Sequence, residues 1–111
     1  MRYSLAAVLP AAAIFSTNLL AQEQAAAVTL STIYSFAGTD GLGPDGSLVM
    51  DKTGALYGVT YLGGASGFGS VFQLIPPAVA GGAWTESVLY SFAGGTDGSH
   101  PYGALAINTK G

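Results

Sequence analysis

A chain of 111 residues fits at most one small domain, and with no cysteine it has neither a disulfide framework nor thiolate ligands for a metal. Charged residues make up 8% of it, against roughly 25% in ordinary soluble proteins. Beyond Arg2, Lys52 and Lys110 stand against Glu23, Asp40, Asp45, Asp51, Glu86 and Asp97, so little neutralises phosphates and no nucleic-acid partner is expected.

The chain opens on Arg2, the only charge before Glu23, followed by "YSLAAVLPAAAIFSTNLLA". A basic start, a short apolar core and alanines near its end predict a helical secretory signal peptide over 1–27, cleaved after Ala21 or after Ala27. The apolar core, Leu5–Leu20, has 16 residues and contains Pro10 and Asn18. A membrane-spanning helix needs about 20 residues, so a retained anchor is the weaker alternative. The expected location is outside the cell or in its envelope.

After Val28 the composition is not that of a disordered chain, since aromatics reach 11% overall. Apolar runs alternate with Gly, Asp and Pro clusters, as strands alternate with turns. Strands are expected over Leu30–Phe36, Ser47–Met50, Ala55–Leu62, Ser70–Ile75 and Thr85–Phe92, with another beginning in Gly103–Asn108. "DKTG", Asp51–Gly54, reads as a tight turn, and Pro76-Pro77 ends the fourth strand because proline donates no ladder hydrogen bond. No helix is expected in this part, because no apolar face recurs at 3.6-residue spacing. Tyr57, Val59 and Tyr61 lie on one face of their strand and Leu56, Gly58 and Thr60 on the other, while Val71 and Ile75 lie opposite Phe72 and Leu74. Both faces carry apolar groups, so both want cover.

A repeat accounts for that. "IYSFAGTDG" returns as "LYSFAGGTDG": Tyr34 and Phe36 match Tyr90 and Phe92 at an offset of 56. After the inserted Gly95, Asp40, Pro44, Leu48 and Gly54 match Asp97, Pro101, Leu105 and Gly111 at an offset of 57. A period of roughly 40–57 residues with four strands each is the pattern of β-propeller blades, sheets that pack face to face. The expected fold is therefore all-β, made of four-stranded antiparallel blades, with a first repeat over 28–87 and a second over 88–111.

The strings "GALYGVTYLGGASGFGSVFQL" and "LYSFAGGTDGSHPYGALAINTKG" closely resemble the GloVer-type (Gloeo/Verruco) tandem repeat. The shared pattern is Tyr90-Ser91-Phe92, Asp97-Gly98, Pro101, Leu56-Tyr57-Gly58-Val59-Thr60, Gly63-Gly64 and Gly67-x-Gly69-x-Val71-Phe72. The resemblance covers Ile33–Gly111. It implies propeller-like blades in an exported bacterial protein and carries no catalytic residues. Members hold many copies, and a propeller closes with roughly four to eight blades. One full copy and about half of another are thus expected to be an incomplete propeller. Either it is a piece of a longer protein, or it is a short product that assembles with copies of itself.

Several stretches look chemical. "GLGPDG", Gly41–Gly46, fits a dinucleotide-binding pattern, but no helix is expected to follow it. "KTG", Lys52–Gly54, lacks the S-x-x-K partner motif of penicillin-recognising enzymes. "GGASGFGS", Gly63–Ser70, could cradle an anion with its amides yet lacks the Gly-Lys-Ser/Thr ending of a phosphate loop. Asp40, Asp45 and Asp97 precede glycines and suit turn caps better than calcium. His100, the single histidine, has Asp97 and Tyr102 nearby, but the first repeat places Gly43 there. Tyr61, Phe68, Trp84 and Tyr102 could stack on sugar rings or pack between blades.

No catalytic, cofactor-binding or metal residue is assigned, and no cofactor is expected. The leading expectation is a non-enzymatic exported scaffold that binds a ligand or surface, such as carbohydrate, and associates with further copies of its repeat. The alternative is the first part of a secreted propeller enzyme, a polysaccharide lyase or hydrolase with its active site in other blades. An outer-membrane barrel is the weakest reading, because its strands would run to about ten residues.

Overall fold

The computed structural model describes residues 3–10 and 28–110. Six strands lie among them: β1 (Tyr3–Pro10), β2 (Val28–Phe36), β3 (Leu42–Met50), β4 (Leu56–Leu62), β5 (Ser70–Ile75) and β6 (Thr85–Ser91). Strands β3-β4-β5-β6 form an antiparallel meander, and β1 and β2 form a separate antiparallel pair. The described part is all-β, with a four-stranded antiparallel sheet and no helix.

The pattern of β5 shows why this sheet forms. Ser70, Phe72 and Leu74 are buried, whereas Val71 and Gln73 are half-buried and Ile75 is exposed. Across the ladder Leu56 faces Leu74, Gly58 faces Phe72 and Thr60 faces Ser70. These residues make one continuous face, here called the first face. Phe36 of β2 is laid on it, fully buried, with its ring centroid 4.9 Å from that of Phe72 at an interplanar angle of 66°. Burial of a phenylalanine contributes about 1.5–3 kcal/mol, and an edge-to-face pair adds roughly 0.5–1.5 kcal/mol. Leu56 and Leu74 complete the core, and Ile33, Tyr34, Leu48 and Trp84 pack around it. Gly58 is required at its place: a Cβ there would lie 2.7 Å from both Leu48 Cδ2 and Phe72 Cζ.

Strand β3 is longer than expected, absorbing Leu42–Gly46 from what reads as turn material. It is an edge strand, where a proline's missing N–H is tolerated, so Pro44 can sit opposite Thr60. An irregularity between Asp45 and Val49 takes up the glycine-containing middle.

Two expectations differ from what is found. Tyr3–Pro10, expected within a helical leader, is an extended strand paired with β2; β2 offers a backbone edge that an eight-residue segment without glycine can satisfy. The cleavage positions Ala21 and Ala27 lie outside the described residues. Gly103–Asn108 forms no strand. Its first-repeat counterpart is extended because β4 pairs with it, and no β4-type strand flanks 103–108 among the described residues. The sheet and the sequence repeat are out of phase: β2 opens the first repeat, and β6, the last strand of the four-stranded sheet, runs into the second.

Candidate functional site

The repeated residues Tyr34/Asp40 and Tyr90/Asp97 do the same thing twice. The Tyr34 hydroxyl donates to Asp40 Oδ2, while Asp40 Oδ1 accepts from the Ala37 amide at 2.8 Å and the Gly38 amide at 3.2 Å. In the second copy the Tyr90 hydroxyl donates to Asp97 Oδ2 at 2.7 Å, and that oxygen also accepts from the Ala93 amide at 3.0 Å. Each carboxylate ties the aromatic strand to the turn that follows it. Burial works to raise Asp40, but the Tyr34 hydroxyl and the backbone amides outweigh it and hold the carboxyl below its usual range. Tyr34 is raised by burial and by its bond to Asp40. Both oxygens of Asp40 are thus committed, which is the work of a turn rather than of a catalytic base.

Glu86 on β6 joins this group. It is half-buried, its Oε1 has no hydrogen-bond partner among the described residues, and burial together with the charge of Asp40 pushes its carboxyl up to about 7. Sequence reading missed Glu86, because its first-repeat counterpart is Leu30 and no spacing in the sequence announces its nearness to Asp40.

The other candidates resolve into turns. Gly41–Gly46 runs into strand β3, not into a helix, and Asp45 accepts only from the adjacent Gly46 amide, at 2.9 Å. Lys52–Gly54 is the turn between β3 and β4, closed by the Asp51 amide on the Ala55 carbonyl at 2.9 Å. Asp51 Oδ1 accepts from the Thr53 hydroxyl at 2.6 Å and the amides of Thr53 and Ala55 at 2.8 and 3.1 Å. Its Oδ2 accepts from the Tyr57 hydroxyl at 2.8 Å, which in turn accepts from Gln73 Nε2 at 2.8 Å. Bonds from Thr53 and Tyr57 lower Asp51 to about 2.

The glycine loop after β4 is tied down from inside. The Gly64 amide donates to the Gly38 carbonyl at 3.0 Å, Gly69 to the Gly63 carbonyl at 3.0 Å, and Ala65 to Ser91 Oγ at 3.3 Å. These three amides are not free to cradle an anion. At the base of the loop Thr60 and Ser70, both fully buried, satisfy each other. The Ser70 hydroxyl donates to the Asp40 carbonyl at 3.2 Å, so the 2.7 Å contact to Thr60 is made with the Thr60 proton, and Thr60 Oγ1 accepts the Ser70 amide at 3.1 Å.

At that same end the structure gathers three of the candidate rings. His100 lies between Tyr61, at a centroid distance of 4.9 Å, and Phe68, at 6.0 Å, and its amide donates to the Phe68 carbonyl at 2.7 Å. His100 adopts φ 54°, the left-handed conformation that Gly43 takes at φ 65° in the first repeat. The second repeat therefore replaces the residue that fits the turn with an imidazole held between two rings. Asp97 is not brought to His100: it is engaged by Tyr90 and Ala93. Tyr102 is 80% exposed and Trp84 is packed on the core, so Trp84 is no loop-edge platform. A cleft of about 290 Å³ lies elsewhere, lined by Tyr57, Ala106, Ile107 and Asn108.

Among the described residues no group of three or more His, Asp or Glu is placed to hold a metal ion, and no helix is long and apolar enough to cross a membrane. Comparison with protein-family models, curated proteins and solved structures returned no match.

Proposed function

We propose that the chain is an exported, non-enzymatic scaffold built from GloVer-type repeat modules that stack face to face in the manner of propeller blades. The observation that carries this is the contrast between two equivalent aromatic strands. In β2, Phe36 is fully buried and Tyr34 half-buried against the first face of the sheet. The counterparts Tyr90 in β6 and Phe92 just beyond it have the same edge-to-face geometry, with centroids 5.1 Å apart, yet Tyr90 is 47% exposed. Tyr90 pairs with Val71, so it sits on the opposite, second face, where Ile75 is also exposed. What the first face receives from β2, the second face is built to give to another copy of the repeat.

The apolar leader after Arg2 supports export, and the partners are further copies of the repeat. A ligand such as carbohydrate would meet the exposed rings of Tyr61 and Phe68 beside His100 at the loop end. Light scattering of the purified full chain tests the stacking: reversible self-association is expected with the native sequence and its loss with Ile75→Lys, a change at an already exposed position. A monomer at all concentrations for both proteins refutes it.

A further inference from the structure

The repeat makes β2 the counterpart of β6, and β6 is paired with β5. In β6, Ser91 faces Ser70, Tyr90 faces Val71, Leu89 is skipped, and Val88, Ser87, Glu86 and Thr85 face Phe72, Gln73, Leu74 and Ile75. In β2, Ser35 faces Ser4, Tyr34 faces Leu5, Ile33 is skipped, and Thr32, Ser31, Leu30 and Thr29 face Ala6, Ala7, Val8 and Leu9. At the repeat offset of 56, the two registers coincide residue for residue, and the irregularity falls at the same place. The match extends one step further: Phe36 faces Tyr3, and the Phe92 amide donates to the Gly69 carbonyl at 3.0 Å.

The sequences agree with the registers. Ser4-Leu5-Ala6-Ala7-Val8-Leu9-Pro10 stands where Ser70-Val71-Phe72-Gln73-Leu74-Ile75-Pro76 would stand. Both begin with serine and end with proline, and both are aliphatic at the second, fifth and sixth positions. A slip of one residue would reverse every side chain of a strand, so a shared register with a shared irregularity marks one kind of edge. Ala6 occupies the register position of Phe72, a smaller apolar residue than a strand of the β5 type carries there.

We propose that the edge of β2 is a docking site for a β5-type strand, Ser-aliphatic-x-x-aliphatic-aliphatic-Pro, supplied by a further copy of the repeat. Tyr3–Pro10 holds that edge as a weaker stand-in. An open strand edge templates unwanted pairing, so the stand-in keeps β2 covered while the leader is attached, and removal of the leader on export frees the edge for the proper strand. That the incoming strand belongs to another copy of the repeat rests on the module reading above; that β1 stands in a β5 position does not.

The test uses the full-length chain, which has no cysteine of its own. Paired Cα atoms in antiparallel strands lie about 4.5–5.5 Å apart, within disulfide range, so Ala7→Cys with Ser31→Cys reports the pairing directly. The disulfide is expected to form in native buffer and not in concentrated urea. A synthetic peptide of residues 69–77, with added lysines for solubility, is then present during oxidation. At about millimolar concentration, the effective concentration of a tethered strand, it is expected to lower the oxidised fraction roughly twofold, and a scrambled peptide to leave it unchanged. No disulfide above the urea control overturns the stand-in, and a disulfide that the peptide does not lower overturns the docking edge. Light scattering reads the module claim separately: a chain that never self-associates but whose disulfide yields to the peptide refutes stacking and leaves the docking edge standing.

Discussion

Tyr34 donates its hydroxyl proton to Asp40, and the equivalent tyrosine and aspartate of the second copy repeat the bond. The first bond is partly sheltered and the second is exposed. Hydrogen bonds to a charged group are worth about 1.5–3 kcal/mol, less where water competes. Tyr34→Phe is therefore expected to lower the unfolding free energy by roughly 1–2 kcal/mol, and Tyr90→Phe to lower it less. Urea titration followed by Trp84 fluorescence measures both.

Glu86 gives the fold a pH dependence of definite sign. Its carboxyl is raised to about 7 from an ordinary value of 4.5. The unfolded chain releases that proton first, so the contribution of Glu86 is complete below 4.5 and is lost as the pH rises towards 7. Asp51, lowered to about 2 from 3.8, acts in the opposite sense: its contribution is present above 3.8 and is lost as the pH falls towards 2. Glu86→Gln is expected to flatten the thermal midpoint between pH 4.5 and about 7, the interval spanned by the Glu86 shift, and to leave the acid limb in place. An unchanged slope in that interval contradicts the assignment.

His100 holds a left-handed backbone that glycine adopts without penalty, at φ 54°. Substituting glycine or alanine removes the imidazole in either case, and only glycine relieves the backbone. His100→Gly should be more stable than His100→Ala by about 1 kcal/mol. Equal stabilities in thermal unfolding would show that the turn relaxes in the variants.

Gly58 faces the Phe72 ring across the ladder, where an added methyl would come within 2.7 Å of two side chains. Gly58→Ala is expected to cost about 1–3 kcal/mol. The same change at Gly67, which has open space around it but φ 84°, costs only the backbone term of roughly 1 kcal/mol. Chemical denaturation of the two variants side by side separates crowding from conformation.

How much of this was legible in the sequence varied with the kind of signal. Strand β5 was readable to the residue because Gly69 and Pro76 bound it. Strand β3 was read short, since Pro44 and Gly46 look like turn in any window and are tolerated only because that strand lies on an edge. The two-faced hydrophobicity of β4 and β5 did announce a sheet wanting cover on both sides, and β2 covers the first. Tyr3–Pro10 could not be read as a strand, because an apolar run without period looks the same in a leader and in a buried strand. Of the polar cluster, Asp40 and Asp97 were visible as turn residues, but their tyrosine partners needed the strand's direction. Glu86 was invisible, as only tertiary packing sequesters its carboxyl. The ring cluster was half-readable: Tyr61 and Phe68 stood out, while the place of His100 between them depends on the loop's fold.

The stacking of one copy on the next is tested most directly by adding a copy. Residue 111 is the repeat equivalent of Gly54, so residues 55–111 can be joined after it in register. If modules stack, the longer chain unfolds in one transition with a steeper urea dependence, because more surface is exposed at once, and β6 amides gain protection from hydrogen exchange. Two independent transitions, with β6 no better protected than before, would contradict the account.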